Sequence, residues 1–148
     1  MIKIQIKGFQ ELSKRFASAP NVFKGRLKAT MLASLYVIWQ NVPAYPPQSQ
    51  DSTYARTGLL GKSFGVDMSG DQSGGADIFE VKELSGYITG AFGSNLHYAQ
   101  YVVGENQKSI FGRLGWWNIS GLAKASRAGI QELFRILEEG LRDYLEGR

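Results

Sequence analysis

The stretch between Pro20 and Pro43 places the strongest constraint on how this chain can fold. Two rows of apolar residues recur there at intervals of three and four, the period of an α-helix. The first row is Phe23, Leu27, Met31, Leu35, Ile38 and Val42, and the second is Leu32, Tyr36 and Trp39. The pattern predicts a helix of about 20 residues, roughly 30 Å long. Two apolar rows require cover on two sides, by the core on one side and by more core or a neighbouring subunit on the other.

Shorter segments on either side of this helix have the alternation of β-strands. Residues 2–6 alternate isoleucine with polar residues, which predicts a half-buried strand, and a short amphipathic helix is expected over 9–16. Further strands are predicted at 64–68, 78–81 and 87–92, with a flexible turn region at 69–77.

The C-terminal part predicts one more long helix, with Ser120 as its N-cap and Gly147 at its end. The order of elements indicates an α+β fold, with a small, mainly antiparallel sheet packed by the long central helix and the C-terminal helix. A length of 148 residues suits one domain, so residues 1–148 are expected to form a single domain.

Residues 43–58, PAYPPQSQDSTYARTG, contain three prolines and few aliphatic side chains, which predicts a long loop. Loops of this length are uncommon in compact domains and usually carry a function or are disordered. Residues 43–56 have little of their own to bury, so we expect them to be mobile in the free chain and to become ordered against a neighbour.

Composition excludes several classes of site. The chain has no cysteine and a single histidine, His97, which excludes disulfides, thiolate catalysis, cysteine–zinc sites and histidine-rich metal sites. No apolar run reaches the roughly 20 residues that cross a bilayer, so no membrane contact is expected. The alternating N-terminus does not resemble a signal peptide, and residence in a reducing cytoplasm is the expectation.

The net charge of +4 is unevenly distributed. Residues 1–62 carry nine basic and two acidic side chains, residues 63–105 one basic and six acidic, and residues 106–148 seven basic and five acidic. Three interpretations stay open: solvated faces, a basic part that contacts nucleic acid, or oppositely charged parts that meet across copies in a head-to-tail contact.

Segments that look like catalytic or ligand-binding motifs are incomplete. GLLGKS at 58–63 ends like a phosphate-binding loop, but Arg56 stands where that loop needs its first glycine. The aspartates within 67–77 do not have the spacing of a calcium loop, and His97 has no serine in a nucleophile elbow. We therefore expect no catalytic, metal or cofactor site and no enzyme, with a small hydrolase that uses His97 as an alternative.

Three sequence blocks together carry a resemblance to a known family. They are IKIQIKGFQELSKRF, then PPQSQDSTYARTGLLGKSF, then YAQYVVGENQ. They resemble, in this order, the strand–glycine–helix opening, the proline-rich loop with a Tyr-x-Arg-Thr-Gly-x-Leu-x-x-Ser signature, and the Tyr-Ala-x-Tyr-Val segment of a bacteriophage tail-component family, the small neck or tail-completion proteins of long-tailed phages. The matching residues are Tyr54, Arg56, Thr57, Gly58, Leu60 and Ser63 in the signature, and Tyr98, Ala99, Tyr101, Val102 and Gly104 in the segment. Many members have a glutamate and a Gly-Thr pair where this chain has Val103 and Gly104-Glu105.

The resemblance implies a non-enzymatic structural virion protein at the phage head–tail junction. It implies a homo-oligomeric ring of six or a similar number of copies, which links the portal or connector to the tail-tube or tail-terminator protein and lets DNA pass through. It implies residence in the host cytoplasm during assembly, and no cofactor. A nucleic-acid-binding module that uses the basic N-terminal third, with Phe16, Tyr36 and Trp39, is the alternative.

The candidate subunit-interface residues combine the family motifs with the tryptophans, because tyrosine, tryptophan and arginine are the usual interface anchors. They are Trp39, Tyr54, Arg56, Thr57, Gly58, Leu60, Tyr98, Tyr101, Trp116 and Trp117. At least one tryptophan is expected to be buried between subunits. Tyr98, Tyr101 and Val102 are predicted to share one face of a short helical turn.

Overall fold

The computed structural model describes residues 1–6, 21–53, 55–84 and 87–147. These ranges contain β1 (Ile2–Ile6), α1 (Asn21–Gln40), α2 (Leu59–Ser63), β2 (Phe64–Val66), β3 (Gln72–Ala76), β4 (Ile78–Leu84), β5 (Tyr87–Ser94), α3 (Ala99–Val102), α4 (Ser109–Arg113) and α5 (Ile119–Leu145). The helix expected over 9–16 lies outside the described residues, as does Tyr54. The α+β fold is confirmed.

The main sheet has three antiparallel strands in the order β1-β5-β4. Phe92 at its centre is in register with Ile4 of β1 and Phe79 of β4, so these three side chains lie on one face. Helix α1 covers that face, and the Phe79 ring lies 5.1 Å from the ring of Tyr36 and 5.9 Å from that of Trp39. None of the described helices is long and apolar enough to cross a membrane.

The first apolar row of α1 packs on the core as predicted, and cover of the second row by a neighbouring subunit stays a prediction. Within the chain, α1 has cover from two elements, the three-stranded sheet and one further helix. The second cover is α5, which runs antiparallel to α1. Near the C-terminal end of α1, a Cβ added at Gly129 of α5 would lie 3.0 Å from the Val37 side chain. Near the N-terminal end of α1, the ring centres of Phe23 and Tyr144 are 4.6 Å apart. The first row is buried in the core, whereas Leu32 and Tyr36 of the second row are exposed.

Two local predictions were wrong. The segment predicted as a flexible turn contains β3, which pairs with β2 in a second, two-stranded antiparallel sheet. Its sequence, QSGGA, lacks the apolar alternation of a strand because the pairing uses backbone groups and its side chains are mostly exposed. The N-cap of α5 is Asn118, not Ser120, since the extended Asn118 accepts a 2.7 Å hydrogen bond from the Gly121 N–H.

Candidate subunit-interaction site

The long loop is fixed at its base by a cluster that we call the loop clasp: Tyr45, Pro46, Arg56 and Trp116. The Arg56 guanidinium donates to the Pro46 carbonyl oxygen. It also lies 5.7 Å from the centre of the Tyr45 ring and 5.5 Å from that of Trp116, and those two rings are 4.8 Å apart. An arginine beside two aromatic rings that contact each other combines cation–π attraction with its hydrogen bond, so Arg56 closes the loop onto the domain.

Tyr45 also joins the loop to the second sheet and to α2. Its N–H donates to the Met68 carbonyl oxygen over 2.9 Å, and its hydroxyl accepts a 2.8 Å hydrogen bond from the Gly61 N–H. Residues 47–53 are exposed. At the base of the loop predicted to be mobile over 43–56, Tyr45, Pro46 and Arg56 are bonded inside the chain. Mobility of the exposed tip, 47–53, stays a prediction.

The signature residues that follow Arg56 start and anchor α2. Gly58 precedes the helix with φ of 74°, a left-handed conformation that favours glycine. The Leu59 N–H donates to the Thr57 hydroxyl oxygen over 3.4 Å. The Leu60 side chain is buried in the core. These residues are explained by the local backbone and by packing inside the chain.

Ser63, the last signature residue, belongs to a buried chain of hydroxyl groups. Its hydroxyl donates to the Leu60 carbonyl oxygen over 2.6 Å and accepts a 2.7 Å hydrogen bond from the Ser94 hydroxyl at the end of β5. The Ser94 oxygen in turn accepts from the Leu96 N–H over 3.1 Å. The chain of hydroxyl groups ties α2 to the end of β5 and to Leu96, in the segment that leads into α3.

The segment His97 to Gly104 has an inner and an outer side. Ala99, Val102 and Val103 are buried in the core. Position 104 has room only for glycine, because a Cβ there would lie 2.5 Å from the Gln100 Cα. The prediction that Tyr98, Tyr101 and Val102 share a face was wrong, because Val102 points inward while the two tyrosines are 43% and 36% exposed.

His97 lies at the surface beside Tyr101, with ring centres 6.1 Å apart in an edge-on arrangement. In the described part of the chain, no group of three or more histidine, aspartate or glutamate residues could hold a metal ion. Because His97 is exposed and next to Tyr101, it lies on the same outer side of the segment as the two tyrosines.

Helix α4 extends this outer side. The Gln107 carboxamide donates to the carbonyl oxygens of Val102 over 2.7 Å and Trp117 over 2.9 Å. Lys108 donates its N–H to the Tyr101 carbonyl oxygen over 2.9 Å and places its ammonium 5.5 Å from the Tyr101 ring centre. These bonds hold α4 next to α3. We name five exposed residues in or directly beside the two helices the α3–α4 surface: Tyr98, Tyr101, Lys108, Ile110 and Leu114.

The three tryptophans are half-buried, and each contacts residues of its own chain. The Trp39 indole N–H donates to the Gly65 carbonyl oxygen over 3.0 Å. Trp116 belongs to the loop clasp, and the Trp117 ring lies 5.1 Å from that of Phe64. Burial of a tryptophan between subunits stays a prediction, but replacement of any of them by alanine would also remove contacts that stabilise the single chain.

Part of the basic first segment meets the acidic middle segment within one chain. The Lys28 ammonium lies 2.6 Å and the Lys24 ammonium 3.7 Å from the two carboxylate oxygens of Glu83. The hydrogen bond from Lys28 lowers the pKa of the Glu83 carboxyl below its usual value. All three side chains are well exposed to solvent, so these pairs orient α1 on β4 more than they stabilise the fold.

The site contains residues that sequence reasoning did not single out. Tyr45 and Gln107 hold the loop and α4 through hydrogen bonds to residues distant in sequence, and no local signal marks them. Ile110 and Leu114 are spaced four apart in a polar, glycine-containing stretch, which is the only sequence signal for their shared surface.

Comparisons of this chain with protein-family models, with curated proteins and with solved structures found no match.

Proposed function

We propose that this chain is a structural virion protein of the phage head–tail junction, of the neck or tail-completion type. In this proposal it assembles as a ring that links the portal or connector to the tail-tube or tail-terminator protein. The observation that carries the proposal is the α3–α4 surface: the motif that resembles the phage family buries its small and aliphatic residues and presents Tyr98 and Tyr101 to solvent.

Two polar signature residues that the structure describes, Arg56 and Ser63, support a structural role because their polar groups bond within the chain. The Arg56 guanidinium is held by the loop clasp, and the Ser63 hydroxyl by Leu60 and Ser94. Tyrosines presented by such a braced segment lose little conformational freedom on contact with a partner. Rigid, exposed tyrosines are typical of protein interfaces.

The test is the state of assembly of the intact chain. Native mass spectrometry and negative-stain electron microscopy should show a closed ring of six or a similar number of copies, and the ring should bind the connector and tail-tube proteins of the same phage. The double variant Tyr98→Ser/Tyr101→Ser should lose the ring while circular dichroism stays unchanged. Tyr87→Ser is the matched control, because Tyr87 is an exposed tyrosine on strand β5, outside the α3–α4 surface. A chain that stays monomeric both alone and with those proteins would refute the proposal.

The nucleic-acid-binding alternative has weaker support. Lys24 and Lys28 share Glu83, which reduces the positive potential of the basic third. The Trp39 indole is engaged with Gly65 rather than presented to solvent, and Phe16 lies outside the described residues. Salt-dependent retention on immobilised DNA, with a slope that falls on Lys24→Ala/Lys28→Ala substitution, would favour this alternative.

A further inference from the structure

Helix α4 depends on its two ends for its position. None of its five residues, 109–113, is buried. A helix of this length is unstable by itself, because so few hydrogen bonds do not offset the entropy of ordering the backbone. Gln107 and Lys108 attach its N-terminal end to α3 through hydrogen bonds to carbonyl oxygens. The two ends together therefore fix Ile110 and Leu114, the aliphatic members of the α3–α4 surface.

Trp116 holds the C-terminal end of α4 through its backbone. Its N–H donates to the Phe111 carbonyl oxygen over 3.0 Å, in the last turn of the helix. Its own carbonyl oxygen accepts from the Gln107 carboxamide over 3.3 Å. The backbone of this one residue therefore connects the last turn of α4 to the residue that precedes the helix.

The loop clasp contacts the same turn at two consecutive residues. The Arg56 guanidinium lies 5.5 Å from the centre of the Trp116 ring. A Cβ added at Gly115 would lie 3.5 Å from the Pro46 Cβ, which is ordinary van der Waals contact. A continuous series of contacts therefore runs from the base of the loop, through the turn at 115–116, to α4.

We propose that the loop clasp controls the order of α4 and, through α4, the α3–α4 surface. While the clasp is closed, Trp116 stays in place and α4 presents Ile110 and Leu114. When the clasp opens, α4 loses the anchor at its C-terminal end and unfolds locally. The Trp117 ring stays packed on Phe64, so the effect ends before α5. The inference rests on the proposed function and names the element that regulates its surface.

Hydrogen exchange of single amides tests the coupling in the intact chain, whether or not the chain assembles. Arg56→Lys keeps the charge but loses the planar group at the Trp116 ring. The Leu114 and Trp116 amides donate to carbonyl oxygens of α4 and should exchange roughly fivefold faster or more, while amides in the middle of α5 keep their rates. Arg26→Lys is the matched control, since the Arg26 guanidinium lies 5.5 Å from the Phe23 ring in α1, and it should change neither set.

Coupling acts in both directions, which provides a second variant. Gln107→Leu removes the carboxamide that bonds to the Trp116 carbonyl oxygen and leaves the four residues of the loop clasp unchanged. It should speed limited proteolysis within 47–53. Gln131→Leu, at an exposed position of α5, is the control and should change the cleavage rate by less than about twofold. Unchanged cleavage in Gln107→Leu, or unchanged α4 exchange in Arg56→Lys, would each overturn the inference.

Self-association distinguishes regulation of α4 from a direct contact of the loop with a partner. Arg56→Lys should weaken self-association of the parent chain roughly fivefold or more. In the background Ile110→Ser/Leu114→Ser, which already lacks the contribution of α4 to the surface, Arg56→Lys should weaken it no further. Equal weakening in both backgrounds would show that the loop itself contacts the partner and would overturn the inference.

The outcomes separate this inference from the proposed function. Faster α4 exchange in an Arg56→Lys chain whose parent never self-associates would support the coupling and count against the proposed function. Rings in the electron microscope, together with unchanged α4 exchange in Arg56→Lys, would overturn the inference and leave the proposed function standing.

Discussion

The Ser63–Ser94 pair gives the sharpest test of how α2 and the end of β5 support each other. Both side chains are buried, and their hydroxyl groups connect the Leu60 carbonyl oxygen to the Leu96 N–H. Ser94→Ala removes the acceptor of the Leu96 N–H and the donor to Ser63. An unsatisfied buried donor costs about 1–3 kcal/mol, so we expect Ser94→Ala to lower the free energy of unfolding by about 2 kcal/mol.

Ser63→Ala should cost a similar amount, because it leaves the Leu60 carbonyl oxygen and the Ser94 hydroxyl without their partner. The double variant should cost less than the sum of the two single variants, by about 0.5–2 kcal/mol, since each single change already breaks the shared hydrogen bond. For a domain of this size, about 2 kcal/mol corresponds to a decrease in Tm of roughly 4–8 °C.

Urea unfolding followed by tryptophan fluorescence measures all three variants. The transition midpoint should fall while the slope with denaturant stays constant. Ser120→Ala is the control, because Ser120 is exposed, and it should change the free energy of unfolding by less than about 0.5 kcal/mol. Strictly additive effects of the two buried serines would show that their hydroxyl groups do not act together and would refute this account.

Three further predictions concern the loop clasp, the turn after α3 and the histidine. Arg56→Lys keeps the charge but loses the planar group that lies against Tyr45 and Trp116, so limited proteolysis within 47–53 should become faster; an unchanged cleavage rate would contradict the clasp. Gly104→Ala should lower the free energy of unfolding by about 3 kcal/mol in thermal denaturation, because a Cβ would lie 2.5 Å from backbone, whereas Gly75→Ala meets nothing within 4 Å. His97→Ala should leave circular dichroism and native mass unchanged, since the described contact of its ring is the exposed edge of Tyr101; loss of a measurable enzymatic rate would instead favour the hydrolase alternative.

The elements that the sequence predicted well are those with long apolar periods. The first row of α1, from Phe23 to Val42, is buried throughout, because six side chains on one stripe leave only one way to place the helix on a core. The strand β3 was missed for the opposite reason. Its sequence of glycines and polar residues has no alternation of apolar side chains, so only the pairing with β2 reveals it.

The sequence predicted which individual residues of the site matter, but not which residues contact one another. Each family motif marks positions that the fold uses, such as the left-handed Gly58 and the buried Ser63. What the motifs do not contain is the set of partners. Arg56 meets Trp116 and Ser63 meets Ser94, and both pairs join residues that are far apart in the chain. The face of α3 was also wrong in the sequence prediction, since four helical residues are too few to define a period.

The expectation about the tryptophans changes once their contacts inside the chain are known. Trp116 closes the loop clasp and Trp39 bonds to Gly65, so both contribute to the stability of a single copy. An alanine variant that fails to assemble would then have two explanations, a lost interface or a loosened loop. Leu32 and Tyr101 separate these explanations better, because exposed side chains contribute little to the fold and much to any contact that covers them. The anchors of an assembly are therefore better sought among the exposed residues on rigid elements than among the largest aromatic residues.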